Sequence, residues 1–137
     1  MIMVLICKGA KSMRVDPSRF PLVWLDSSPA NAEPTDKVLD DMSALLARQQ
    51  PFVFLAAGGF DDAEPDLDAR RKVASWMKAN KPAIVLYIKA QLHVADTVEA
   101  RDKALEFGRI FENFWGYPLL VVGSCDEAET RARALLG

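Results

Sequence analysis

Apolar residues follow two alternating patterns along the chain. Four short and nearly continuous apolar runs are typical of buried β-strands. They lie at residues 20–25, 51–57, 83–88 and 118–122 and are centred on Leu22, Val53, Leu86 and Leu120. The third run could extend as far as Val94, and residues 13–15 could form a hairpin with the first run through the turn-forming residues 16–18.

Between these runs, apolar residues recur at the three- and four-residue spacing of amphipathic helices. The clearest stripe contains Val38, Leu39, Met42, Leu45 and Leu46. It predicts a helix at residues 35–48 with Thr35 as its N-cap. A second helix is predicted to end near Asn80, because Pro82 cannot continue it. Its expected inner face contains Leu67, Val73, Trp76 and Met77.

Two further helices are predicted in the C-terminal part of the chain. One begins after Asp96 or Thr97, either of which can act as its N-cap, and ends near Trp115. The other begins near Asp126, with Ser124 as its N-cap. Its expected buried residues are Ala128, Ala132, Leu135 and Leu136. Strands that alternate with helices in this way favour one α/β domain with parallel crossovers.

The length of 137 residues fits a single domain around one hydrophobic core. Residues 13–137 would form this domain, and residues 1–12 would be an N-terminal extension or an edge strand. Met1 and Met13 are both candidate translation starts. The apolar residues 1–7 are too few to span a bilayer, and no charged region precedes them as in a secretory signal. We therefore expect neither export nor a membrane anchor.

Charge and cysteine content narrow the expected partners and location. The formal net charge of −2 provides no positive field to attract phosphates, so nucleic acid is not an expected partner. Cys7 and Cys125 match neither a disulfide framework nor a CxxC motif. We expect free, buried thiols, which fit a cytoplasmic location.

A glycine pair and an acidic stretch lie between the second apolar run and the second helix. Gly58 and Gly59 lack the spacing of a phosphate-binding loop, and the five acidic residues within residues 61–68 would repel a phosphate. These carboxylates could bind Mg²⁺ or Ca²⁺, but their order does not match an EF-hand loop. A solvated loop is the simpler interpretation, and neither a metal nor a cofactor is predicted.

His93 is the only histidine, so a site with several histidine ligands is excluded and one candidate general base remains. No serine or cysteine lies near it in the sequence, which favours a structural role, although folding could bring a nucleophile close. Cys125 lies near the start of the last helix, but Asp126 and Glu127 disfavour a reactive thiolate there. No catalytic residue is assigned.

Aromatic residues are concentrated on two sides of the predicted end of the third helix. They are Phe107, Phe111, Phe114, Trp115 and Tyr117. Aromatic residues are enriched where proteins bind partners, and burial inside the domain explains them equally well. We assign a hypothetical partner-binding surface to these residues together with Asp61, Asp62 and Glu64 of the acidic stretch.

Several segments carry an ordered pattern that is similar to a known family. They are residues 21–25 (Pro-Leu-Val-Trp-Leu), 45–48, 50–55, 69–76 and the aromatic helix end 111–118 with the strand and helix after it. Together they resemble the SpoIIAA-like, STAS-type bacterial domains. The resemblance covers most of residues 13–136 as an order of elements, without a diagnostic catalytic motif.

The resemblance implies a small mixed sheet of four to five strands, with about four helices packed mainly on one face. It also implies function through partner binding, as in anti-sigma-factor antagonists. Phosphorylated members carry a serine or threonine at the start of the helix after the central strand, whereas residues 51–74 contain neither. This difference argues against a phosphorylation switch, and the acidic stretch could instead mimic a phosphorylated state.

Two classes of function follow. The first is a non-catalytic interaction or regulatory domain that binds a protein partner or a second copy, with no deep polar pocket. The second is a small-molecule-binding protein or enzyme that uses His93 and a carboxylate in a cleft at the strand ends.

Overall fold

The computed structural model describes residues 14–26, 34–57 and 67–137. Five strands form one sheet in the order β1-β2-β3-β4-β5. Their bounds are β1 Arg14–Asp16, β2 Leu22–Asp26, β3 Phe52–Ala57, β4 Ile88–Val94 and β5 Leu119–Val122. β1 is antiparallel to β2, whereas β2, β3, β4 and β5 are all parallel. The predicted N-terminal hairpin is therefore confirmed.

Four helices alternate with these strands in the described parts of the chain. They are α1 Thr35–Ala47, α2 Leu67–Tyr87, α3 Val98–Trp115 and α4 Cys125–Leu136. The first three connect parallel strands, and α4 follows β5. The prediction of an α/β fold with a mixed sheet is confirmed.

Each face of the sheet carries its own hydrophobic cluster, because successive strand residues point to opposite faces. On one face, α1, α2 and α3 pack onto residues such as Val23 and Phe54. On the other face, α4 packs through the small residues Ala128 and Ala132, which lets its backbone approach the sheet closely. Three helices thus lie on one face and one on the other.

α2 continues through Pro82, so the predicted helix end near Asn80 is wrong, and so is the predicted strand centred on Leu86. Proline removes one helix hydrogen bond and crowds the carbonyl four residues earlier, but the residues after it can still donate to carbonyls one turn earlier. In the turn before the proline, Asn80 Nδ2 donates to Trp76 O at 2.8 Å. A short apolar run does not distinguish a helix from a strand, and β4 begins only at Ile88.

Side-chain caps are found at two helix starts where the sequence predicts them. The hydroxyls of Thr97 and Ser124 each accept a hydrogen bond of 3.1 Å from a backbone N–H three residues later. Thr35 is instead the first residue of α1, and the N-cap position belongs to Pro34, whose side chain makes no cap bond. The predicted Thr35 cap is therefore wrong.

Two expected core residues and one expected thiol differ from the prediction. Leu67 and Leu135 are 61% and 42% exposed, because each lies in the end turn of its helix. Cys125 is disulfide-bonded, so a free thiol there is wrong. Spacing along the sequence does not show which sulfurs a fold brings together. Residues 1–12, with Cys7, lie outside the described residues.

Candidate functional site

α1 and α2 lie side by side and run in the same direction. Lys72 Nζ of α2 lies 3.3 Å from Asp36 Oδ2 of α1, and further along Trp76 Nε1 donates to Ser43 Oγ at 2.8 Å. The hydrogen bond to Asp36, and then the negative charges of Asp36 and Asp68, raise the pKa of Lys72. These polar contacts hold the N-terminal half of α2 beside α1.

Phe111 is at the centre of an aromatic cluster at the end of α3. Its ring centroid lies 5.3 Å from that of Tyr117, 5.6 Å from Phe107 and 6.3 Å from Trp115. Phe111 and Tyr117 are buried, Trp115 is half-buried, and Phe107 and Phe114 are exposed. Burial raises the pKa of the Tyr117 phenol well above its usual range. The cluster therefore extends from the core to the surface.

The end of α3 is fixed against α2 by a glycine and a lysine. Gly116 has a left-handed backbone with φ of 91°, and its N–H donates to Glu112 O at 2.8 Å. Lys81 Nζ of α2 donates to Phe114 O at 2.9 Å. A cation at this position also complements the negative end of the helix dipole. The two contacts fix the position of the aromatic residues that precede Gly116.

A groove of about 590 Å³ lies between α1, α2 and the end of α3. Its apolar walls include Val38, Met42, Val73, Ala74, Phe114 and Trp115. A second hollow of about 560 Å³ is lined by α3 alone and includes Phe107, Ile110, Phe114 and Trp115. Phe114 and Trp115 line both hollows, which we together term the aromatic groove.

The lining of the aromatic groove offers contact area rather than reactive groups. Its polar groups come from Thr35, Arg70 and Asn113. None of the three is an effective general base near neutral pH. Within the described parts of the chain, no group of three or more His, Cys, Asp or Glu residues could hold a metal ion. The arrangement is suited to bind an apolar surface.

His93 lies in the middle of the sheet and is only 4% exposed. Its neighbours in register are Ala56 of β3 and Val121 of β5. Leu92 and Val94 point towards α4, so His93 points towards the face that carries α1, α2 and α3. It lines neither hollow of the aromatic groove. This placement agrees with the structural role that the sequence favours.

The structure brings the five predicted aromatic residues together, whereas Asp61, Asp62 and Glu64 lie outside the described residues. The sequence interpretation missed the walls that α1 and α2 contribute. The sequence predicts Val38 and Met42 only as members of the apolar stripe of a helix, although both also line the groove. The sequence carries no signal for these walls, because an apolar stripe on a helix does not show whether it faces a sheet or a groove.

Comparisons with models of protein families, with curated proteins and with solved structures find no match for this chain. Within residues 14–26, 34–57 and 67–137, no helix is long and apolar enough to cross a membrane. The functional inference therefore depends on the geometry of the aromatic groove itself.

Proposed function

We propose that this protein is a non-catalytic interaction domain that binds an apolar segment of a partner protein in the aromatic groove. The observation that carries the proposal is the exposure of large apolar side chains beside a preformed groove. Phe107, Ile110 and Phe114 are 40%, 67% and 44% exposed. Exposed apolar residues are ordinary when scattered, but a contiguous set beside a groove is typical of a binding surface.

The energy available at this surface is consistent with protein binding. Phenylalanine-sized side chains present about 200 Å² each, so the exposed parts of these three leave about 300 Å² of apolar area. At about 25 cal/mol per Å², covering it yields about 7 kcal/mol before the entropy of association is subtracted. A partner must therefore also contact the α1 and α2 walls, which favours a segment several residues long.

A bound small molecule is the second candidate function. A volume of about 590 Å³ lies in the range of ligand pockets, and an apolar lining with few polar groups is common in them. The continuation of the groove along α3 favours an elongated occupant over a compact one. Photo-crosslinking distinguishes a bound protein segment from a bound small molecule.

Site-specific photo-crosslinking tests the proposal. A crosslinking residue at Ile110 should capture one specific protein in cells, and the additional substitution Phe114→Ser should reduce that product at least about tenfold. Leu86 of α2 is the matched control position, because it is 58% exposed and lines neither hollow. Equal products at both positions would refute the groove as the docking site. A small metabolite that co-purifies and raises the melting temperature would support the second function instead.

The regulatory character is the part of the proposal supported by the STAS-type resemblance. A partner captured at Ile110 allows the acidic stretch to be tested directly. If that stretch mimics a phosphorylated state, changing Asp61, Asp62 and Glu64 to amides should weaken binding. An unchanged affinity for the partner would show that the acidic stretch is not part of the binding surface.

A cytoplasmic location remains part of the proposal, and one observation weighs against it. Cys125 is disulfide-bonded, and disulfides persist mainly in oxidising compartments. Rapid alkylation of thiols in intact cells, followed by mass spectrometry, distinguishes a reducing compartment from an oxidising one. Alkylated Cys125 would support a reducing location.

A further inference from the structure

The face of the sheet that carries α4 is wider than one helix. Five strands at a spacing of about 4.8 Å span about 19 Å, whereas a helix with its side chains is about 10–12 Å across. α4 packs mainly on β4 and, to a smaller extent, on β3 and β5. Glu129 of α4 also pairs at 2.7 Å with Arg19, which lies before β2. α4 therefore covers β3, β4 and β5 better than it covers β2.

Trp24 of β2 lies on this face and is nevertheless buried. It belongs to the same hydrophobic cluster as Ala128 of α4 and is only 4% exposed. Trp24 Nε1 is buried as well, and it has no hydrogen-bond acceptor among the described residues. Buried N–H groups in native proteins are nearly always paired. Both observations indicate that a further stretch of backbone lies over Trp24.

Three segments lie outside the described residues, and they differ in composition. Residues 27–33 are mainly small and polar, and residues 58–66 contain four acidic side chains. Residues 1–13 are mainly apolar and contain no acidic side chain. They also contain Cys7, the only cysteine of the chain besides Cys125. Since Cys125 is disulfide-bonded, Cys7 is the one sulfur of this chain that can pair with it.

The positions of Arg14 and Cys125 fit this pairing. Arg14 pairs with Asp26 at the carboxyl end of β2, and Cys125 follows shortly after the carboxyl end of β5. Both lie at the same end of the sheet, up to four strand spacings or about 19 Å apart. The seven steps from Cys7 to Arg14 reach about 23 Å in an extended chain. The chain is long enough to reach Cys125, and its path passes Trp24.

We infer that a disulfide between Cys7 and Cys125 holds residues 8–13 across the α4 face of the sheet, over Trp24. A backbone carbonyl of this crossing segment accepts the hydrogen bond of Trp24 Nε1. Reduction by a dithiol converts the bond to two thiols, oxidises the dithiol to its own disulfide and releases the crossing segment. The α4 face lies opposite the aromatic groove, so the inference does not depend on partner binding there.

Peptide mapping of the intact chain without reduction tests the pairing. The wild type should give one linked pair of peptides that contain Cys7 and Cys125. Deleting residues 8–12 leaves two steps of about 7 Å in total, and about 5.5 Å across the bond does not close the gap. That variant should lose the intramolecular link, whereas inserting Gly-Ser-Gly-Ser after Lys8 should retain it. A link that survives the deletion, or Cys125 linked only between two copies, overturns the inference.

Hydrogen exchange of the indole N–H groups, followed by NMR, tests the cover over Trp24. Dithiothreitol should make Trp24 Nε1–H exchange at least about tenfold faster, and the deletion variant should show the faster rate without reductant. Trp76 and Trp115 pack on the opposite face, so their unchanged rates are the internal control. A Trp24 rate that reduction leaves unchanged overturns the inference. Equal acceleration of all three indoles also overturns it, because the whole fold would then be lost.

Discussion

Replacing Gly116 by alanine tests how the end of α3 is held against α2. A left-handed backbone, here with φ of 91°, costs a residue with a Cβ about 1–2 kcal/mol. The added Cβ would also lie 2.9 Å from Val85 Cγ2 and 3.2 Å from Lys81 Nζ. Lys81 would have to move, which weakens its 2.9 Å bond to Phe114 O by about 1 kcal/mol.

The expected sum is a loss of about 2–3 kcal/mol in the free energy of unfolding. For a domain of 137 residues this corresponds to a melting temperature lower by about 10 °C. Denaturant titrations at constant temperature give the free energy directly, and the thermal midpoint checks it. Gly116→Ala with the stability of the wild type would refute the geometry of this helix end.

Two further variants separate the backbone strain from the close contact. Gly116→Asn keeps a residue type that tolerates the left-handed region, so it should lose less than Gly116→Ala. Val85 is 53% exposed, and Val85→Ala alone should change stability by less than about 0.5 kcal/mol. Combined with Gly116→Ala, it should recover part of the loss. A strictly additive double variant would show that Val85 does not restrict position 116.

Three other predictions concern single groups. Burial raises the pKa of the Tyr117 phenol in the folded chain, so the phenol of the unfolded chain deprotonates at a lower pH. The free energy of unfolding should therefore be unaffected below about pH 10 and fall above it. Tyr117→Phe should reduce that fall in denaturant titrations, and an unchanged alkaline profile would contradict the burial. Thr97→Ala and Ser124→Ala should each lower the free energy of unfolding by about 1 kcal/mol through loss of the N-cap bond, whereas nearby exposed Glu99→Ala should have a smaller effect. Cys125 should react with a thiol reagent in denatured protein only after reduction, and modification without reductant would disprove the disulfide.

The alternation of elements could be predicted because local patterns determine it. In α1, the stripe that begins at Val38 is buried or half-buried throughout, since its period matches the helix. In β3, a continuous apolar run is buried on both faces of a central strand. Thr97 and Ser124 cap their helices because a hydroxyl at that position satisfies a backbone N–H that has no partner within the helix.

The boundary between α2 and β4 could not be predicted, because it depends on contacts far along the chain. Residues 83–88 are apolar enough for either a helix or a strand, and Pro82 makes the helix locally less favourable. In the folded chain, Ile84 is buried under the helix layer, and Val85 packs beside the end of α3. The aromatic groove was equally hidden, since its walls come from three helices whose spacing is a tertiary property.

The apolar residues of α3 cover more than one stripe of the helix, because α3 packs on the sheet and also lines the aromatic groove. A helix that only covers a sheet needs one apolar stripe, and Phe111 lies on that stripe. Ile110 and Phe114 extend the arc into the aromatic groove, whose second hollow both residues line.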